Sequence, residues 1–266
     1  MYGGESAKIY HAQHTARGKD YRAEAEVVAG EIRKRCPEAG SVLDVACGTG
    51  GHLGAFQDLI GHVEGVDLSE PMLAIARAGH PDVPLHLGDM RSFDLGRTFD
   101  AVTCLFASIG YVASEAELHQ AVRCLAGHVV PGGVVVVEPW WFPETYLDRW
   151  VSGDVVEHEG TTIARVAHTV REGDASVMDV HYLLASAASG VRHVHEVHRA
   201  MLFTAAQYEA AFREAGLEPE HVPGVQSGRG LFVGVTPPSS ASAAEFKSGH
   251  PGSGTAKNQT CLGERS

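Results

Sequence analysis

The run Val42-Leu43-Asp44-Val45-Ala46-Cys47-Gly48-Thr49-Gly50-Gly51 constrains this chain more than any other stretch. An apolar segment ends in an acid and a loop of small residues, and a helix is expected over 51–59. That is a strand, a tight turn and a helix N-terminus, a place where backbone N–H groups face a nucleotide-like ligand. Residues 62–67, 83–87, 99–106 and 134–138 read as further strands, with helices at 70–78, opened by Pro71, and at 115–127. An earlier helix is expected over 21–35, capped by Asp20 and ended by Pro37 and Gly40. Strands alternating with helices at this spacing make βαβ units and a parallel sheet.

The pattern changes after Glu138. Residues 155–158, 161–171, 177–185 and 192–201 read as antiparallel strands separated by Glu159-Gly160, Glu172-Gly173-Asp174 and Ser189-Gly190. A helix over 205–215 follows, and 217–222 with 230–235 read as a hairpin closing the main sheet. The expected fold is therefore α/β and Rossmann-like, a mostly parallel sheet flanked by helices, with an added antiparallel sheet after the fifth strand. Residues 1–138 and 202–236 form the core of this scheme and 139–201 the insertion. The segment 237–266, dominated by Ser, Ala, Gly, Pro and Lys, reads as a disordered tail. Residues 1–20 read as a frayed arm or as a mobile lid carrying Tyr2 and Tyr10 over a site.

Composition narrows the partners. The 44% of apolar residues is ample for a core, and the net charge of −12 argues against a nucleic-acid partner. Five cysteines, none in a C-x-x-C pair, read as reduced thiols of a cytoplasmic protein. No apolar run approaches the length of a membrane span. His193, His195 and His198 alternate along one presumptive strand without a closed ligand set, so no metal is expected.

The chemistry sits at the C-terminal ends of the first strands. Gly48 and Gly50 let a ligand approach the backbone, and Asp67, closing the second strand, is placed to accept hydrogen bonds from a ribose diol. Asp89 could take an adenine amino group, with Met72 and Met90 flanking the ring. A nicotinamide enzyme would want G-x-G-x-x-G for its pyrophosphate. Here Asp44 precedes the loop; it would repel a pyrophosphate but suits the ammonium and sulfonium of S-adenosylmethionine. The series V-L-D-V-A-C-G-T-G, a second acid and G-D-M resembles the class I S-adenosylmethionine-dependent methyltransferases. Ala46, Cys47, Gly48, Asp67, Leu68, Met72, Asp89, Met90 and Leu105 are the cofactor-binding candidates on that basis.

A narrower likeness rests on longer motifs. Arg17-Gly18-Lys19-Asp20-Tyr21, Gly88-Asp89-Met90-Arg91, Phe106-Ala107-Ser108-Ile109-Gly110-Tyr111, Glu138-Pro139-Trp140-Trp141-Phe142-Pro143-Glu144 and Ser227-Gly228-Arg229-Gly230-Leu231-Phe232 stand in order along residues 1–235. Together they resemble the N,N-dimethyltransferases that act on nucleotide-linked amino-deoxysugars of the desosamine and mycaminose type. The resemblance implies a TDP-linked amino-deoxyhexose as methyl acceptor, a class I core with an added sheet, and a homodimer. The family commonly has Glu where this chain has Asp67, and some members have His where it has Tyr111; both carboxylates can hold a diol.

Methyl transfer to an amine is an in-line displacement, so orientation can supply most of the catalysis. Tyr111 and Tyr2 are the catalytic candidates, Tyr111 to orient the amine or relay its proton and Tyr2 as a lid tyrosine near the sugar. Tyr10 and Lys19 are placed against the carboxylate of the methionine moiety. Tyr2, Trp140, Arg171, Ser227 and Arg229 are the substrate-binding candidates: Trp140 to stack on thymine or roof the core, Arg229 as a phosphate clamp between two glycines, and Arg171, with Arg165, for the pyrophosphate or as a solvated charge. Alternative readings are a small-molecule O-methyltransferase, a catalytically silent S-adenosylmethionine-binding protein and, more distantly, a nicotinamide oxidoreductase.

Overall fold

The computed structural model describes residues 3–225 and 228–238. Tyr2, Ser227 and the tail from residue 239 lie outside the described residues. The chain begins with two helices, α1 (Gly4–Ala16) and α2 (Tyr21–Arg35). The main alternation follows: β1 (Ser41–Val45), α3 (Leu53–Leu59), β2 (His62–Asp67), α4 (Glu70–Gly79), β3 (Leu85–Leu87), β4 (Phe99–Cys104), a 3-10 turn (Ser108–Tyr111), α5 (Glu115–Gly127) and β5 (Val129–Val137). Four long strands come next, β6 (Trp150–His158), β7 (Thr161–Glu172), β8 (Ala175–Ser186) and β9 (Gly190–Met201). α6 (Ala205–Glu214), β10 (Glu218–Val222) and β11 (Leu231–Val235) complete the described chain.

Two sheets result. The main sheet runs β10-β11-β5-β4-β1-β2-β3, with β10 and β11 antiparallel at one edge, and the second sheet runs β6-β7-β8-β9 as a meander. β1 pairs in parallel with β2 on one side and β4 on the other, so the strand order reverses there. A ligand crevice is expected outside the carboxyl ends of strands at such a switch point. The unbroken Val134–Val137 run is fully buried because helices cover both faces of β5. One face packs Leu118, Val122, Leu125 and Phe212 of α5 and α6; the other packs Val28, Ile32, Leu53 and Phe56 of α2 and α3.

Helix ends follow the local sequence. Asp20 accepts from the Ala23 N–H at 2.9 Å, Ser69 and Ser114 cap α4 and α5, and Thr204 with Gln207 forms a capping box on α6. Two expectations are revised. Most of the segment 1–20 is helix, not an arm: Ile9 enters a small core with Ile163, Val180, Tyr182 and Leu184 of the second sheet. Only Ala7, Ile9 and Gln13 of α1 are buried, so its sequence carries no apolar stripe that would betray it. Pro131-Gly132-Gly133, whose residues alone signal a turn that would start the fifth strand at 134, lies within β5, where the pairing register shifts between Phe99 and Ala101 and Thr236 bonds the strand on either side. Among the described residues, no helix is long and apolar enough to cross a membrane.

Candidate active site

The ends of β1 and β4 enclose a pocket at the switch point. Its floor is Asp44, Ala46, Cys47, Gly48 and Thr49; Leu105, Phe106 and Ser108 form a wall; and Tyr10 of α1 and Tyr21 of α2 close it. Ala46 (φ 58°), Phe106 (φ 53°) and Ala107 (φ 59°) all sit in the left-handed region. Non-glycine residues there cost on the order of 1–3 kcal/mol each and cluster where a loop is shaped for a ligand. Gly48, at φ 58°, leaves space within 4 Å of where a Cβ would stand. A Cβ on Gly51 would come within 2.5 Å of the Tyr21 ring, so that glycine lets the aromatic lid descend onto the loop.

One acid, Asp44, lines this pocket, and a second, Asp67, holds its glycine loop from the end of β2. Asp67 accepts from the Gly48 N–H and the Ser69 N–H, each at 2.8 Å, through different oxygens. Burial raises its carboxyl above the ordinary carboxylate range while those N–H groups oppose the rise. Each oxygen keeps a second lone pair, and a ribose diol needs two such acceptors. Asp44 is 1% exposed and accepts from Thr103 Oγ1 at 2.7 Å. Burial raises its carboxyl too, with His52 and Thr103 working against the rise. A buried carboxylate short of positive charge suits a cationic ligand. The loop, Asp67 and Asp44 thus fit S-adenosylmethionine, with Asp67 on the ribose and Asp44 toward the charged methionine end.

The remaining cofactor candidates divide. Cys47 and Leu105 are buried in the pocket lining, and burial pushes the Cys47 thiol well up, which leaves it inert. Met72 is buried, Met90 packs on the core, and Leu68, at 45% exposed, stands beside Asp67. The Asp89 carboxylate is engaged by Arg91 through Nε, Nη2 and the backbone N–H, with Arg91 tied also to Glu117. It is less free for adenine than the sequence suggests. Lys19 is paired with Glu24 and lies 4.0 Å over the Phe106 ring, behind the aromatic wall rather than in the lining. Glu24 Oε2 also accepts from His52 Nε2 at 2.9 Å, joining α2 to the start of α3 behind the glycine loop.

The second sheet supplies the facing wall. Tyr111, 49% exposed, ends the 3-10 turn after β4, and its hydroxyl lies 3.3 Å from His198 Nδ1 on β9. Arg229 is not the open phosphate clamp expected from its flanking glycines. It is 8% exposed, donates from Nη2 to Glu138 Oε1 at 2.7 Å, and stacks near Trp140 and Trp141 at 5.1 and 5.3 Å. Glu138 Oε2 in turn accepts from the Phe106 N–H at 2.7 Å, so this ion pair shapes the pocket wall. Among the described residues Arg229 Nε and Trp140 Nε1 have no acceptor, and these two buried donors lie close to one another. Arg171 serves local structure, donating to Gly173 O at 2.9 Å and Pro143 O at 3.4 Å. Arg165 points from β7 toward Ser152 Oγ and Met178 Sδ, weak acceptors for a guanidinium.

Several residues around the site escape a reading of the sequence: Tyr21, Glu24, His52, His14 and Glu196, while His198 stands out there only as one of three alternating histidines. Tyr21 and His52 sit within quoted motifs or beside the loop, yet their role depends on α2 folding back over it. His14 packs against Phe106 at 5.2 Å; burial first, then Arg17, Lys19 and Arg165, push its imidazole down to about 4. Among the described residues a potential ligand set also forms across strands: Asp179, His181 and His195 place donor atoms within 4.8 Å of one another. It needs β8 beside β9, which the alternation of His193, His195 and His198 cannot reveal. By strand alternation it lies on the opposite face of the sheet from Glu196 and His198.

Comparison with known proteins adds identity to this geometry. Residues 42–133 match the family model described as a methyltransferase domain. The chain is 55% identical over 235 residues to dTDP-3-amino-3,4,6-trideoxy-alpha-D-glucopyranose N,N-dimethyltransferase of Streptomyces venezuelae, covering 88% of this chain and 99% of the relative. It is 46% identical to dTDP-4-amino-2,3,4,6-tetradeoxy-D-glucose N,N-dimethyltransferase of Saccharopolyspora spinosa, covering 88% of this chain and 94% of the relative. Among solved structures, SAM-bound CalS10, an amino pentose methyltransferase from Micromonospora echinaspora, superimposes with a TM-score of 0.79 at 48% identity, covering 85% of this chain and 96% of that one.

Proposed function

The chain belongs to the family of dTDP-amino-sugar N,N-dimethyltransferases, and from that premise we propose that it dimethylates the 3-amino group of a TDP-linked amino-deoxyhexose. It is an S-adenosylmethionine-dependent N-methyltransferase. The observation that carries the substrate reading is the extent of the likeness: 99% of the Streptomyces venezuelae relative is matched, substrate-side sheet included. Its name specifies a 3-amino sugar at 55% identity, against a 4-amino sugar for the relative at 46%.

When bound, S-adenosylmethionine supplies an electrophilic methyl group on a sulfonium. The protein's own residues hold the amine in line with it, about 3 Å away. Tyr111 stands where the pocket opens toward β9 and orients the amine. Trp140 and Trp141 roof the sugar-nucleotide, and Arg229 Nε with Trp140 Nε1 offers two buried donors to an acceptor oxygen of the substrate. Arg165 supplies positive charge for the diphosphate better than Arg171, whose guanidinium is taken up by the hairpin turn. Tyr2 and Ser227 complete the substrate-binding candidates of this reading and lie outside the described residues.

The outer face of the second sheet supports a homodimer. Val151, Val155, Val166, Leu183, Val191 and Val197 are each between 49% and 72% exposed there, and a group of exposed apolar side chains on one sheet face is a surface that a second copy could cover. Light scattering on the purified protein gives the mass that tests it. The protein works in the cytoplasm, in keeping with its free cysteines.

Mass spectrometry of a panel of TDP-3-amino and TDP-4-amino sugars incubated with S-adenosylmethionine tests the activity. Sequential gain of two methyl groups by a 3-amino member is expected; products only from 4-amino members, or from hydroxyl acceptors alone, would replace the reading.

A further inference from the structure

The inner face of the second sheet carries a line of polar groups leading away from the reacting centre. Tyr111 Oη lies 3.3 Å from His198 Nδ1, and His198 Nε2 lies 3.0 Å from Glu196 Oε2. Glu196 and His198 are two apart on β9, so they share the face that packs against α1 and the 3-10 turn. Exposure falls along the line: Tyr111 is 49% exposed, the His198 side chain 16% and the Glu196 side chain 11%. A phenol at the mouth of the site is backed by an imidazole, and the imidazole by a carboxylate.

The hydrogen-bond roles follow from the chemistry of the groups. Burial raises the Glu196 carboxyl, but hydrogen bonds from His198 and Ser6 outweigh it and hold the carboxyl below its ordinary value. An ionised carboxylate only accepts, so His198 carries its proton on Nε2 and presents the lone pair of Nδ1 to the tyrosine hydroxyl. Among the described residues Ser6 of α1 and Tyr182 of β8 also act on Glu196, while Met178 stands opposite His198 in the β8–β9 pairing.

The reaction creates a demand for such a line. An aliphatic amine is largely protonated at neutral pH, and an ammonium has no lone pair with which to attack. The monomethyl product is again an ammonium, so a proton has to leave before each of the two transfers. We propose that Tyr111, His198 and Glu196 form a proton relay that deprotonates the amine before each methylation. The N–H bond breaks with its electron pair left on nitrogen. That proton bonds to Tyr111 Oη as the phenolic proton passes to His198 Nδ1, so Tyr111 begins and ends neutral. His198 becomes an imidazolium, its charge offset by Glu196, and returns the proton to water before the next cycle. Tyr111 is the catalytic residue of the relay; His198 and Glu196 act through it as positioning residues.

The proposal rests on the amine-methyltransferase reading, and its test separates the two. In the wild-type enzyme, kcat should rise with pH as the proton the relay must accept becomes easier to release to water. His198→Gln, which keeps a hydrogen-bond partner for the tyrosine but cannot take the proton, should lower kcat at neutral pH by about 100-fold, the usual weight of a general base. KM should change little, and activity should recover at alkaline pH as the amine deprotonates unaided. A variant that matches the wild type at every pH, or that loses activity equally at every pH, overturns the relay while the methyltransferase assignment stands. Independently of turnover, the ring nitrogen signals of His198 followed by NMR in the cofactor-free protein should show the proton on Nε2, and Glu196→Leu should remove that preference. A tautomer preference unchanged in Glu196→Leu overturns the couple.

Discussion

Asp44, Ala46, Cys47, Gly48 and Thr49 reach the pocket proposed for the cofactor from one short stretch of chain, whereas the wall proposed for the substrate draws Tyr111, Glu138, Glu196, His198 and Arg229 from the turn after β4, the end of β5, β9 and the approach to β11. The cofactor side leaves acids buried with little positive charge around them, and burial raises both Asp44 and Asp67. The substrate side ties its polar groups to one another: the Arg229 guanidinium to Glu138, and the His198 imidazole to Glu196. One half is therefore destabilised until a cation arrives, and the other is internally compensated beforehand. A site whose cofactor is the same for every member can be written in one local loop. A site that has to shape itself to a particular sugar is built from parts that only the fold brings together.

The largest test of this contrast is on the compensated side. Glu138→Ala leaves the buried Arg229 guanidinium uncompensated and frees the Phe106 N–H, so a loss of about 3–5 kcal/mol in urea-unfolding stability is expected. The double variant Glu138→Leu with Arg229→Met should restore part of that stability, and a double variant no more stable than the single would sink the claim of compensation.

Asp44→Asn probes the opposite arrangement. Cofactor affinity measured by calorimetry should fall by about 2–5 kcal/mol, the cost of removing one member of a buried charge pair. The cofactor-free protein should melt higher than the wild type near neutral pH. The sign follows from the raised carboxyl: the folded state binds the Asp44 proton more tightly than the unfolded state. This contribution to stability is present at low pH and is lost as pH rises through the raised value, and the variant lacks that loss. Unchanged affinity would remove Asp44 from the cofactor's cationic end.

A smaller effect is expected at the seam between the halves. His14 is held neutral, its imidazole pushed from an ordinary 6.5 down to about 4. The unfolded chain takes up a proton in this interval and the folded protein does not, so stability should fall as pH drops from about 6.5 to about 4. His14→Gln should flatten that part of a melting-temperature profile; an unaltered slope would place its cause elsewhere.

The smallest expected effect separates two arginines that the sequence treats alike. Arg171→Ala removes a solvated guanidinium bonded to carbonyls of its own turn and of Pro143, and should leave kcat and KM within about twofold of the wild type, as for most exposed polar contacts. A large rise in KM would return Arg171 to the substrate wall.

The sequence by itself determined the parallel α/β core, the added meander, the glycine loop, and Asp44 and Asp67 as the acids beside it, because strand periodicity, turn residues and a strand-to-helix loop are local signals. Tyr111 was legible too, from its motif after the fourth strand. Only the tertiary structure decided that α1 is a helix seated on the second sheet, since three buried residues leave no stripe to read. It also decided that Arg229 is paired with Glu138 rather than open, and that Glu196 and His198 stand behind Tyr111. Those facts depend on contacts between residues far apart in the chain, and an ionisable side chain takes its character from whichever neighbour the fold puts beside it. The loop of 42–51 states its purpose in its own residues; the relay acquires one only when β9 is laid against the turn after β4.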